Sequence, residues 1–429
     1  MKKLLSLLMA GALGAGLLAG CGPKEASPSG DGAPAGDAGS DQSLVIYQNK
    51  VEIGEALTQF AADYSTETGV KVTVKTSGGD TPYAENLKAE FQSDRQPDIF
   101  VIEGTGGYET WKSKLEPFSD DEEWLKHTDL AFKADGKVYG FPVAVEAWGL
   151  AYNKNLLEKA GVDPAGLTSQ EAYKAAFEKI DSMKEDLGIS SVVAMAAGPD
   201  MRWVTGLHNF NGYLSAAMPY GDGKYIDMLN AGEPDKERLA EYADWVELLF
   251  SYADKSVLLT GNYDAQVGQF ATEKSVFIHQ GNWIDPWLTD NGVTFPMAFA
   301  PHASVKGTTD SIFIGAPSFY VLNTESANKE TAKAFLNYMV TNEKGHDYMV
   351  NKAKMIPAFT NVTLVPDTPL SADAAKWLVK DKKYTWFQND MPDGFGMGTL
   401  GPIYESFAKG DIDKGQFIDQ LAEKIDAIK

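Results

Sequence analysis

The stretch KVYGFPVAVEAWGLAYNKNLLEKAGV, Lys137 to Val162, decides how this chain is read. Val138 to Tyr152 is rich in Val, Tyr, Phe and Leu, a strand composition, and Gly140 and Pro142 permit a bend near its start. Leu156 to Ala160 reads as a short helix stopped by Gly161, because glycine takes the left-handed conformation past a helix end at little cost. Glu146 and Trp148 stand two apart, so they share one face of a strand. A carboxylate beside an indole face is what a polyhydroxylated ring with one apolar side would need. The same spacing also fits a core strand with one buried tryptophan.

Outward from this stretch, strand and helix patterns alternate. Leu44 to Tyr47 is a short apolar strand, and Ile53, Leu57, Phe60 and Tyr64 line one face of a following helix. Val70, Val72 and Val74 alternate with polar residues, and a helix opening after Asp80 and Thr81 at Pro82 carries Tyr83, Leu87 and Phe91 inward. Pro97 to Glu103 is a continuous apolar run of the kind buried in parallel sheets. It empties into Gly104–Gly107, expected as a loop at a strand's carboxyl end, where open α/β sheets take ligands. Thr168-Ser169-Gln170-Glu171 is a capping box for one long helix reaching Leu187. Ser191 to Ala197 is a buried strand, Lys236 to Tyr252 and Tyr263 to Phe270 are helices, and Ser275 to His279 is a strand. The polar turn Gln280-Gly281-Asn282 then delivers Trp283. Ile312 to Leu322 is strand-like, broken at Gly315 and Pro317, and helical segments fill much of the remainder.

The N-terminus is a processing signal. Lys2 and Lys3 precede an apolar run from Leu4 to Leu18, too short for a comfortable membrane span, which ends in Leu18-Ala19-Gly20-Cys21. That ending resembles the bacterial lipobox, in which cleavage precedes a cysteine that is then lipidated, so 1–20 is expected to be a signal peptide. Cys21 is the chain's only cysteine, which rules out an internal disulfide. Residues 22–43 are mostly Gly, Ala, Ser, Pro and Asp, with nothing large to bury, and read as a flexible tether.

Over 429 residues, 44% apolar and 11% aromatic, two domains with sizeable cores are expected. A formal charge of −22 opposes nucleic-acid binding, which needs a basic surface. Catalytic templates are missing from the sequence. The five histidines (His127, His208, His279, His302 and His346) form no metal-binding pair, so no metal and no cofactor are expected. No Gly-x-Ser-x-Gly elbow or Walker loop is present, and among 60 acidic residues nothing singles out a glycosidase pair.

Five segments in order resemble the carbohydrate-binding members of the bacterial extracellular solute-binding proteins, family 1, the lipoproteins of ABC importers. They are VIYQNK (45–50), PDIFVIEGTGGY (97–108), ATEKSVFIHQGNWIDPW (271–287), IFIGAPSFYVL (312–322) and TWFQNDMPDGFG (385–396), with Lys137–Val162 as the strand that crosses between lobes. The resemblance covers nearly the whole mature chain. It implies an α/β fold of the type II periplasmic-binding class, each lobe a mostly parallel sheet flanked by helices, with the ligand cleft between. It also implies discontinuous lobes, 44–144 plus 315–352 and 145–314 plus 353–429.

Matching motifs carry over Asn49, Lys50, Glu103, Glu146, Trp148, Trp203, Trp283, Trp386 and Asn389 as ligand-binding candidates. Gly104 stands where maltose-binding members are expected to present a charged, ligand-contacting side chain, which argues against maltodextrin. The implied function is capture of a mono- or oligosaccharide by hinge closure and delivery to the transmembrane subunits of an ABC permease. The protein would be a monomer without cofactor, lipid-anchored through Cys21 at the outer face of the cell membrane. A lipid-anchored glycosidase, or a binding subunit serving a sensor, are the alternatives.

Overall fold

The Lys137–Val162 stretch divides between two sheets. In this computed structural model residues 43–78, 83–93 and 96–428 are described. The expected signal peptide, Cys21, the expected tether through 42 and the expected helix start at Asp80–Pro82 lie outside them.

The strands in chain order are β1 (Ser43–Gln48), β2 (Lys71–Thr76), β3 (Ile99–Glu103), β4 (Leu115–Glu116), β5 (Phe132–Ala134), β6 (Lys137–Pro142), β7 (Glu146–Asn153), β8 (Ser191–Ala194), β9 (Ser275–Gly281), β10 (Met297–Ala300), β11 (Ile312–Gly315), β12 (Ser318–Asn323) and β13 (Lys383–Tyr384). The first sheet runs β2-β1-β3-β12-β6-β5, with β4 also on β12; the second runs β13-β11-β7-β9-β8, with β10 also on β7. Each sheet is the centre of one α/β lobe.

Val143–Val145 carry the chain from β6 in the first sheet to β7 in the second, and Ala316–Pro317 return it from β11 to β12. The Val145 amide donates to the Ile356 carbonyl at 2.9 Å, joining a further passage of the chain to the first. All eight residues of β7 are buried, as its central place demands. The Asn153 side chain at its end accepts from the amides of Asn155 and Leu156, at 3.0 and 3.1 Å, and so starts the helix Lys154–Lys159.

The sheets are mixed, which corrects the expectation of mostly parallel ones. β1 pairs in parallel with β2 and β3, β8 with β9 and β11 with β13, whereas β12 and β7 pair antiparallel with β3 and β9. The cause lies in the connections. A helical crossover within one lobe keeps successive strands parallel, but β7 and β12 arrive from the other lobe on short linkers and are under no such constraint.

Two expected helical stripes are largely buried, whereas of Tyr83, Leu87 and Phe91 only Leu87 is, and Phe91 lies past the end of its helix, Tyr83–Glu90. Leu57, Phe60 and Tyr64 face inward from the helix Gly54–Thr68, and Tyr242, Trp245 and Leu249 from Lys236–Ser251. Two further expectations fail locally. The long helix after Ser169 stops at Ser182 and resumes as a short turn at Lys184–Leu187, and Ser169 rather than Thr168 caps it, accepting from the Ala172 amide. Gly104–Gly107 is not a loop but the first half of the helix Gly104–Trp111. Packing overrides the poor helix propensity of glycine here: a Cβ on Gly106 would stand 2.4 Å from the Met391 carbonyl, and one on Gly107 3.2 Å from Ile102.

Candidate functional site

The two sheets meet at a cluster of charges that is largely, but not wholly, buried. Lys50 follows the end of β1 and Glu146 opens β7, so their ion pair, Nζ to Oε1 at 2.5 Å, links the two lobes. Glu52 stands 3.9 Å from the same ammonium. Burial alone would lower the Lys50 pKa, but the carboxylates of Glu146, Glu52 and Glu103 overcome it and hold the ammonium charged well above its ordinary range. Burial pushes the Glu52 carboxyl up to about 7, Lys50 offsetting only part of that. Lys50, Glu52, Glu146, Asn282, Trp283 and Lys354 help to line a solvent-open pocket whose cavity volume is about 20 Å³, room for about one water.

Trp283 separates this pocket from a second, narrow crevice, too tight to hold a water, walled by Trp148, Trp203, His208, His279, Gln280 and the other side of Trp283. The ring of His208 lies 5.0 Å from Trp283, 5.5 Å from Trp203 and 5.6 Å from Trp386. Trp386 meets Trp283 edge-on at 6.2 Å. Burial lowers His208 and His279 to about 3 and His302 well below its ordinary value, so these imidazoles are neutral at physiological pH. His208 Nδ1 lies 2.7 Å from the Trp203 carbonyl, which can only accept, so the ring carries its proton on Nδ1. The result is an uncharged aromatic wall facing a charged corner.

The position of Trp283 follows from its strand. β9 runs through Gly281, two residues beyond the expected end, so Gln280 is a buried strand residue and not part of a turn. The indole then folds back over Gly281, where a Cβ would stand 2.2 Å from the ring. Only glycine leaves room for it.

The candidate residues divide into groups. Lys50, Glu146 and Trp283 meet at the first pocket, and Trp203 joins Trp283 at the second. Trp148 borders the second pocket but is 0% exposed, stacked on Phe313 at 4.1 Å, so it supports the wall from the core. Trp386 is 8% exposed and backs the wall. Asn49 donates to Glu103 at 2.9 Å, and Glu103 also accepts from Ser318 at 3.2 Å; both stand beside the charged corner but outside the walls of the two pockets. Asn389 lies outside the pockets too, its amide on the Pro317 carbonyl at 3.3 Å.

The segment bearing Asn389 instead clasps the helix Gly104–Trp111. Asp390 accepts from the Thr105 amide and Asp393 from the Thr110 hydroxyl, each at 3.1 Å. Gly104 has φ +55°, and a Cβ there would fall 2.5 Å from the Asn389 carbonyl. Backbone contact therefore occupies the place where a ligand-contacting side chain was expected in maltose-binding members.

Sequence reasoning missed Glu52, Gln280, His208 and His279. Glu52 was one exposed-looking carboxylate among many, and the histidines are too far apart in sequence for their spacing to reveal their convergence.

Residues 59–393 match a known family model, that of the bacterial extracellular solute-binding proteins. The chain belongs to this family. Among similar solute-binding proteins is the galactooligosaccharide-binding protein of Bacillus subtilis (strain 168), 25% identical over 424 residues, covering 95% of this chain and 92% of the relative. A maltooligosaccharide ABC transporter solute-binding lipoprotein of Streptococcus pneumoniae serotype 4 (strain ATCC BAA-334 / TIGR4) is 26% identical over 359 residues, covering 80% and 78%. Among solved solute-binding structures, RafE in complex with raffinose superposes with a TM-score of 0.74 at 18% identity, covering 90% of this chain and 99% of that one. A sugar transporter protein of Bacillus licheniformis in complex with stachyose gives 0.72 at 18%, covering 90% and 100%.

Proposed function

We propose that this chain is the substrate-binding subunit of an ABC-type sugar importer and takes an oligosaccharide between its lobes. The observation that carries the reading is the juxtaposition at Trp283: an uncharged aromatic wall on one side, the Lys50–Glu146 corner on the other. A pyranose has apolar C–H faces that stack on indole and a rim of hydroxyls that need charged or amide partners, and this pairing offers both. Lys50, Glu146, Trp203 and Trp283 would touch the ligand. Trp148 and Trp386 would back the wall, while Asn49, Glu103 and Asn389 would shape the approach of the lobes.

The lobes in this reading are 44–144 plus 315–352 and 145–314 plus 353–429. Ligand contacts from both would favour a closed form, in proportion to their differential affinity, and that form is presented to the permease. Cys21 would be lipidated and the monomeric protein held at the outer face of the membrane by its tether. The sugar is bound and released, not cleaved. The named ligands of the relatives set the first glycans to try, galactosyl oligosaccharides ahead of maltooligosaccharides.

A thermal-shift screen against raffinose, stachyose, galactooligosaccharides and maltotriose, followed by analysis of the recovered sugar, tests this. A ligand at 100 times its Kd should add about 2.7 kcal/mol of stability and return intact. Cleaved product would replace the reading with a hydrolase, and no shift with any glycan would remove sugar as the substrate class.

A further inference from the structure

Trp283 borders both pockets and stands on a single helical turn, Asn282–Ile284. A chain of buried amides fixes it. The indole Nε1–H donates to Gln280 Oε1 at 2.8 Å, Gln280 Nε2 donates to Gln266 Oε1 at 2.8 Å, and Gln266 Nε2 donates to the carbonyls of Ala194 and His279 at 3.0 and 3.2 Å. Gln266 and Gln280 are 0% and 1% exposed.

The chemistry of the two ends sets the direction of the whole chain. Main-chain carbonyls only accept, so Gln266 must turn its NH₂ toward them and its oxygen toward Gln280. Gln280 then offers its NH₂ to Gln266 and its oxygen to the indole, which only donates. Of the four tryptophans of the wall, Trp283 is the one whose indole N–H is held; among the described residues, the indole nitrogens of Trp148, Trp203 and Trp386 are buried without a partner.

We propose that Gln280, itself held by Gln266, is a positioning residue that sets the plane of the Trp283 indole on which the ligand stacks. The relay ties the ring to β8 through Ala194 and to β9 through His279, the rigid interior of the second sheet. The ring is thereby oriented before ligand arrives, so binding does not have to immobilise it. The ligand half of this proposal rests on the sugar-binding reading; the ring-orienting half does not.

The test uses the full chain with ¹⁵N-labelled tryptophan, the Trp283 indole resonance being assigned by its loss in Trp283→Phe. Gln280→Leu should cost the Trp283 N–H at least tenfold of its protection from hydrogen exchange. Unchanged protection would overturn the proposal. In Gln280→Glu the neutral carboxyl can accept from the indole and donate to Gln266, whereas the carboxylate cannot donate. Protection relative to wild type should therefore recover as pH falls, and a flat ratio would count against the relay. With raffinose as probe, Gln280→Leu should weaken binding about tenfold in the wild-type background and not further in Trp283→Ala. An equal loss in both backgrounds would overturn positioning in favour of a general structural effect. If wild type binds neither raffinose, stachyose nor maltotriose, the sugar reading fails and the exchange result alone decides the role of Gln280.

Discussion

The aromatic wall and the charged corner face one another across Trp283, yet they are built on opposite principles. The wall comes from the second lobe: Trp148 on β7, His279 and Gln280 on β9, and Trp203 and His208 on the turn of helix at Trp203–Asn209. Its imidazoles are neutral, and it needs nothing from the other lobe. The corner exists only where the lobes meet, because Lys50 follows β1 and its partner Glu146 opens β7. In the proposed mechanism the wall therefore supplies affinity in either lobe arrangement, while the corner links affinity to closure. Two tryptophans sharpen the contrast. Trp148 and Trp283 are both rings of the second lobe, but one is fully enclosed and the other faces the pocket.

Removing the ion pair from one side should have the largest effect. Lys50→Met leaves the Glu146 carboxylate, 6% exposed, without its counter-charge. A denaturant melt should record a loss of about 3–5 kcal/mol, most of it recovered in Lys50→Met/Glu146→Gln, since the penalty is the unpaired charge and not the missing contact. No recovery in the double variant would mean that the corner is held by packing.

Trp148→Ala should cost a similar amount, about 3–5 kcal/mol of unfolding stability, as the truncation of an enclosed indole. The same melt checks it. A loss below about 1 kcal/mol would contradict its place in the core.

Glu52 gives a smaller effect with a distinct pH signature. Its carboxyl is raised from an ordinary 4.5 to about 7 in the folded chain by burial, Lys50 compensating only in part. The folded chain thus binds this proton more tightly than the unfolded chain, and its contribution to stability falls as pH rises from about 4.5 through 7. Glu52→Gln should flatten that window and gain about 1–3 kcal/mol over wild type at pH 8. In the same variant, affinity for a bound glycan should vary by less than about twofold between pH 5 and 8, because the wall's histidines titrate far below that range.

Much of this architecture was legible in the sequence, for physical reasons that differ by element. β7, the helix Gly54–Thr68 and the helix Lys236–Ser251 announce themselves because their burial is periodic or continuous. The division of Val138–Tyr152 between two sheets was written in Gly140 and Pro142 only as a bend. The antiparallel entry of β7 and β12 depends on long-range topology, which local patterns do not encode. At the site, the motif residues Lys50, Glu146 and Trp283 could be named, and Trp283 stood out by its place just beyond a strand's carboxyl end. Trp148 differs from Trp283 in what packs on it: Phe313, distant in sequence, on the one, and Gly281, two residues before it, on the other. The amide relay was hidden because Gln280, next to a glycine and an asparagine, looks like a turn residue until β9 is seen to run through it.

Titration calorimetry on wild type and Trp283→Ala, with whichever glycan stabilises the protein most, decides whether this indole is the surface on which the ligand stacks. A single site is expected in the wild type and an affinity loss of about 2–4 kcal/mol in the variant, at least tenfold, with the larger part of its folding stability kept. Unchanged affinity together with a collapsed melting curve would contradict it, by placing Trp283 in the core and the ligand elsewhere.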